Sequence, residues 1–240
     1  MCIVGSAVVC ENGLTYGYLH ARLTAVGNCL HSVNYNPRSC HAWVSYKLGD
    51  DLAYKMGRVT LNPMPHIDLM MTIILPAALL LSGSPFIFGG AKPVPVNMRA
   101  FRKPFKDMAL VAIAGPLSNL IQAFLWAIIL KLFLQFGIWD VRSEGVGVLQ
   151  LGIFINILLF AFNLVPIPPL DGSRIVAFFL SGEARRAYIS VERFGIIILL
   201  GCFWLVPQFR IILGTGIYFF GNLIANTVGL TVSWVPGFLT

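Results

Sequence analysis

Charged side chains are scarce in this chain, and acidic ones scarcest. Of 240 residues, 17 are Lys or Arg and ten are Asp or Glu. Charged residues make up 11% of the chain, where a soluble domain carries roughly a quarter. That shortage excludes an ordinary water-soluble globule. Cysteine is sparse and dispersed: Cys2, Cys10, Cys29, Cys40 and Cys202 form no C-x-x-C pair. Neither a disulfide scaffold nor a thiolate zinc site is supported. There is no internal repeat and no low-complexity tract. No cleavable leader is clear, because the apolar Cys2–Cys10 stretch is short and lacks a basic start. Residues 1–36 also lack an apolar run near the ~20 residues a membrane span needs. Glu11, Asn12, His20, Arg22, Asn28, His31, Asn34 and Asn36 interrupt them.

Apolar sequence is what the chain has in abundance: 57% of residues are hydrophobic and mean hydropathy is +0.79. The expected fold is one all-α polytopic membrane domain of about 4–6 transmembrane segments, with short β-like or extended pieces. Ala109–Phe136 and Val146–Val165 are the firm spans. Leu69–Leu81, containing Pro76, is a short span or a re-entrant hairpin. Phe194–Val206 and Ile211–Val228 are further apolar segments. The helical stretch through Cys40 stops at Gly49. Gly57–Pro63 is strand-like before a turn, and Gly89–Asn97, with alternating Val and Pro, suits an extended edge. The net charge of +7 is explained by short basic loops facing an anionic leaflet, so no nucleic-acid partner is expected. The basic stretches 99–106 and 185–193 are separated by two spans. They fall on one side, which the positive-inside rule makes cytoplasmic.

The stretch 162–175 reads F-N-L-V-P-I-P-P-L-D-G-S-R-I. Pro166, Pro168 and Pro169 cannot continue a helix, and opened backbone is tolerated in a bilayer only where protein or a water-filled cavity surrounds it. Asp171 is therefore either a hard ligand displayed on a broken helix, a functional hypothesis at membrane depth, or a polar loop residue in water. Spacing alone leaves both open.

Six motifs occur in a fixed order: Cys40-His41-Ala-Trp with Leu-Gly-Asp50; Gly57-Arg-Val-Thr-Leu-Asn-Pro63; His66-Ile-Asp68; Ala91-Lys-Pro-Val-Pro-Val-Asn97; Ala114-Gly-Pro-Leu-Ser-Asn119; and Asn163 with Pro-Pro-Leu-Asp171-Gly. Together they resemble the site-2 protease family of intramembrane zinc metalloproteases in its compact prokaryotic form. The resemblance covers residues 40–206 as a membrane core, flanked by an atypical segment 1–39 and an apolar C-terminal segment 207–240. It implies zinc, a membrane-protein or peptide substrate, and residence in the prokaryotic inner membrane. By the same resemblance His41 is the second histidine of an H-E-x-x-H helix and Asp171 the third zinc ligand. Asn163 is a donor to substrate or to a developing oxyanion, or else a buried amide bonded to backbone. His66 and Asp68 are turn residues or orient polar neighbours. The logic of such a site is general: two histidines one turn apart and a carboxylate hold the metal, and the glutamate takes a proton from the water in the fourth position.

The departure lies at Pro37 and Arg38, where the first histidine and the catalytic glutamate belong. Proline cannot ligate zinc, and arginine does not act as a base in proteins. His31 lies off the i, i+4 face of His41 and does not substitute. As it stands, the chain is not a competent protease. Back-translation adds an observation. Pro37-Arg38-Ser39 can be encoded CCA-CGA-AGC, which one base out of step contains CAC-GAA, or His-Glu. In the same offset frame Asn28, His31, Asn34, Tyr35 and Asn36 become Ile or Thr. The N-terminal stretch therefore reads as a frame-shifted first span, from a damaged gene or a sequencing error. Two rivals stand beside the protease reading. One is a non-catalytic homologue that binds membrane helices. The other is a small transporter using Asp171, disfavoured because one broken motif and no repeat are present. The protease reading requires His41 and Asp171 to converge on a common centre.

Overall fold

The structure, a computed structural model, describes residues 37–60, 74, 94–141 and 143–235. Residues 1–36, Leu69–Leu81 apart from Ile74, His66, Asp68 and residues 89–93 lie outside the described residues.

The first described helix, α1, covers 37–47 and runs through the boundary placed at 39/40. It stops where expected. Gly49 takes φ +107, and the Asp50 N–H reaches back to the Ser45 carbonyl at 3.0 Å, satisfying a carbonyl that the ending helix leaves open. A single turn, α2 (Leu52–Lys55), follows. Asp50 is 1% exposed. Its carboxylate accepts from Ser45 Oγ at 2.9 Å, from the Leu52 N–H at 3.1 Å and from the Asn97 N–H at 2.7 Å. It thereby fastens the 94–97 segment to the end of α1. Asp50→Ala strips three donors of a buried charged acceptor, each such bond contributing about 1.5–3 kcal/mol. Chemical denaturation is expected to show a loss of at least ~3 kcal/mol, whereas the surface control Asp51→Ala changes little.

Two long helices form the centre. Helix α3 is Pro104–Gln135, with proline in its first turn and Pro116 inside; α4 is Glu144–Asn163. On α3 the large side chains Leu110, Ile113, Leu117, Ile121, Leu125 and Leu132 point outward, while Ala112, Ser118, Asn119, Ala123 and Ala127 are buried. Large residues outside and small or polar ones inside is the arrangement expected where lipid, not water, surrounds the bundle. The small inner residues let α4 and the last helix approach. Ala123, Ala127, Leu130, Ile153, Ile157, Ile217, Ile224 and Trp234 form one packed core.

After α4 the prolines break the chain, and α5 (Asp171–Phe179) starts with Asp171 in its first turn. Helix α6 (Gly182–Ser190) and a 3-10 turn at Val191–Phe194 lead into α7 (Gly195–Leu205). Helix α8 (Pro207–Val228) closes the order and ends at Gly229 with φ +70. Among the described residues four helical stretches are long and apolar enough to cross a membrane: Pro104–Gln135, Glu144–Asn163, Gly182–Leu205 and Pro207–Val228. No β-strand forms among the described residues. Residues 57–60 are turn and bend, and 94–97 are irregular. The extended piece exists there without ladder pairing, held through Asn97 by Asp50.

Candidate metal centre

The proline-rich turn after α4 carries Asp171 back toward α1. Three contacts hold the turn. Tyr188 Oη donates to the Pro166 carbonyl at 2.8 Å, and the Arg174 guanidinium pairs with Glu192 at 2.5 Å. Gly172 lies so close to the Leu164 and Val165 carbonyls that a Cβ there would collide with them. Glycine is required after Asp171 because the turn folds directly over it.

His41 on α1 meets Asp171 on α5, with Nε2 to Oδ2 at 3.4 Å. Nδ1 of the same ring lies 2.7 Å from the Val111 carbonyl of α3. A carbonyl has no proton to give, so Nδ1 carries the hydrogen. In its neutral form the ring turns the Nε2 lone pair toward the carboxylate, the tautomer of a metal-ligating imidazole; in its protonated form Nε2 donates to Asp171. Two facing acceptors need a proton or a cation between them. Zn–N and Zn–O bonds of about 2.0–2.1 Å at a tetrahedral angle place two ligand atoms about 3.3–3.4 Å apart, so the observed separation fits two ligands of one ion.

The pair opens on a cavity of about 520 Å³. Asn163 lines it, as do Val94, Val96, Asn119 and Arg174. Pro37 and Arg38 line it too. Positions 37 and 41 are one helical turn apart and share a face, so the side chain at 37 stands where a further ligand to the His41–Asp171 centre would have to come from. The residues present do not fit a complete catalytic zinc site, which takes three protein ligands. His41 and Asp171 supply two, and Pro37 supplies none. Among the described residues no group of three His, Cys, Asp or Glu converges.

Two residues of the Ala114–Asn119 motif had no role assigned from the sequence. A Cβ on Gly115 of α3 would overlap His41 Nε2, approach His41 Cε1 to 2.5 Å and lie 3.2 Å from Asp171 Oδ2. This glycine sets the space between the two side chains and the α3 backbone. Asn119, one turn on, is 0% exposed and has neither end of its carboxamide bonded. An amide within an apolar span, closing the Ala114–Asn119 motif, was the available signal.

A helical membrane scaffold that brings a half-buried imidazole and a carboxylate from separate helices to 3.4 Å, beside a cavity, defines the class: a membrane-embedded protein with a candidate metal centre. The model of peptidase family M50 matches residues 137–207. The candidate zinc metalloprotease YwhC of Bacillus subtilis is 43% identical over 166 residues, covering 68% of this chain and 72% of that protein. The candidate zinc metalloprotease Rip2 of Mycolicibacterium smegmatis is 29% identical over 174 residues, 72% of this chain and 61% of its own length. MJ0611 of Methanocaldococcus jannaschii, similarly described, is 32% identical over 100 residues, 40% of this chain and 46% of that protein. No solved structure matches. The chain belongs to peptidase family M50, the site-2 protease family, and is an integral membrane protein.

Proposed function

We propose that the cavity is the metal and substrate site of an intramembrane zinc metalloprotease and that this chain, with proline at 37 and arginine at 38, does not cleave. The observation that carries the reading is the 3.4 Å approach of His41 Nε2 to Asp171 Oδ2 beside a cavity that Pro37 and Arg38 also line. His41 and Asp171 are the zinc ligands of the scaffold, and Asn163 contacts substrate. Zinc, held by a full ligand set, would polarise a scissile carbonyl and activate water. With the third ligand and the base both missing, no hydrolytic step follows for the chain itself. The substrate is a membrane protein or membrane-adjacent peptide, and the membrane is the prokaryotic inner membrane.

Pro37 and Arg38 are in this reading the end of a frame-shifted stretch. The test is the coding DNA: codons that cannot spell His-Glu one base out of step remove that origin and leave a non-cutting binder of membrane helices. The metal deficit has its own test. Purified without chelator and measured by plasma mass spectrometry, the protein is expected to retain far less than one zinc per chain. One tightly held ion per chain would show that another residue completes the set.

A further inference from the structure

We propose that Asn119 is a substrate-contacting residue, whose carboxamide pairs with the main chain of an unwound peptide segment and so selects unwound from helical substrate. The inference rests on the reading of the cavity as a substrate site and names the chemistry that site recognises.

Asn119 lines the same cavity as His41 and Asp171, on the part of its wall shut off from solvent. Both Nδ2 and Oδ1 are without a partner. Leaving one end of a buried amide unbonded costs free energy, and leaving both costs more. Asn156, also 0% exposed, is satisfied at one end: its Nδ2 donates to the Gly152 carbonyl at 2.8 Å, while its Oδ1 has no partner. Ser118, the neighbour of Asn119, likewise donates to the Gly115 carbonyl at 2.7 Å. Local backbone thus satisfies Ser118 and one end of Asn156, but neither end of Asn119. A residue kept in this state is relieved by a ligand.

The ligand's chemistry follows from the group. A carboxamide presents two donors and one acceptor, the complement of the C=O and N–H of a peptide unit. Inside a bilayer an intact helix uses all its own main-chain groups and has nothing to offer. Only an unwound stretch exposes a free N–H and C=O together. Asn163 at the end of α4 lines the same cavity, so two carboxamides from two helices are available to an extended chain, with Val94 and Val96 beside it.

The test uses the full-length protein in nanodiscs. The probe is a capped octapeptide of alternating leucine and glycine with one benzophenone-alanine near its middle. Ester analogues replace the N–H of one central peptide unit at a time. The parent is expected to bind the amide probe saturably and to crosslink at residues 94–97 or 159–163. One ester analogue binds it about tenfold more weakly. Asn119→Leu is expected to bind the amide probe at least about tenfold more weakly than the parent, to ignore that ester replacement, and to unfold at an equal or higher temperature. A residue that only held helices together would not couple to one N–H of the probe. Asn119→Ser carries the same comparison should leucine disturb assembly. Equal probe affinity in parent and variants, or the same ester penalty in both, overturns the role of Asn119 while leaving the cavity as the substrate site. No saturable binding, or crosslinks confined elsewhere, overturns both.

Discussion

Pro37→His combined with Arg38→Glu is expected to yield a protein that purifies with about one zinc per chain and cleaves a membrane-embedded reporter, where the parent does neither. Both positions line the cavity on which His41 and Asp171 converge. Position 37 shares a helix face with 41, so a histidine there approaches the same centre from one turn away and completes three protein ligands with a fourth position open. The single variants separate the two deficits. Pro37→His alone is expected to bind zinc and cut at a rate about 10²–10⁴-fold below the double variant, the usual contribution of a general base. Arg38→Glu alone is expected to do neither. A double variant that binds zinc but cuts no reporter would favour the non-cutting binder. One that binds no zinc would show that position 37 cannot reach the centre.

The lipid-crossing parts of the fold were the most legible. Ala109–Phe136 and Val146–Val165 correspond to α3 and α4, because an uninterrupted apolar run of that length has few alternatives. The start of α3 was placed late. Lys106 and Asp107 look like loop residues in a one-dimensional pattern, but they occupy the first turn of a helix that Pro104 opens. There the Asp107 carboxylate accepts from the Lys103 N–H at 2.9 Å. Periodicity could not tell whether Asp171 faced water or a partner. The ordered motifs bore on that question, since a contact between residues 41 and 171 leaves no local trace. The same limit hid Asp50, which reads as a residue past a helix stop and proves to be the buried acceptor joining α1 to residue 97. Gly115 was visible as a member of the Ala114–Asn119 motif near the start of a span, with no role attached to it. Its reason is the space it leaves for an imidazole on another helix.

That space gives the second large effect. Gly115→Ala is expected to lower the stability of the parent chain by about 1–3 kcal/mol, the usual cost of overpacking. Replacing glycine by alanine in a helix ordinarily stabilises by about 0.5–1 kcal/mol. The sign reverses because the new methyl overlaps His41, and the ring has little freedom to retreat. Nδ1 is held 2.7 Å from the Val111 carbonyl on the same helix that carries the methyl, and Asp171 Oδ2 stands beside Nε2, 3.4 Å from it and 3.2 Å from the added methyl. Gly147→Ala on α4 is the control, since a Cβ there meets nothing within 4 Å. It is expected to leave the unfolding midpoint equal or raised. In the repaired double variant, Gly115→Ala should also abolish zinc retention, because relief of the overlap requires the imidazole to swing off the line to Asp171. Equal midpoints for Gly115→Ala and Gly147→Ala would mean that His41 does not rest against α3. The metal-ligand separation between His41 and Asp171 would then lose its structural support.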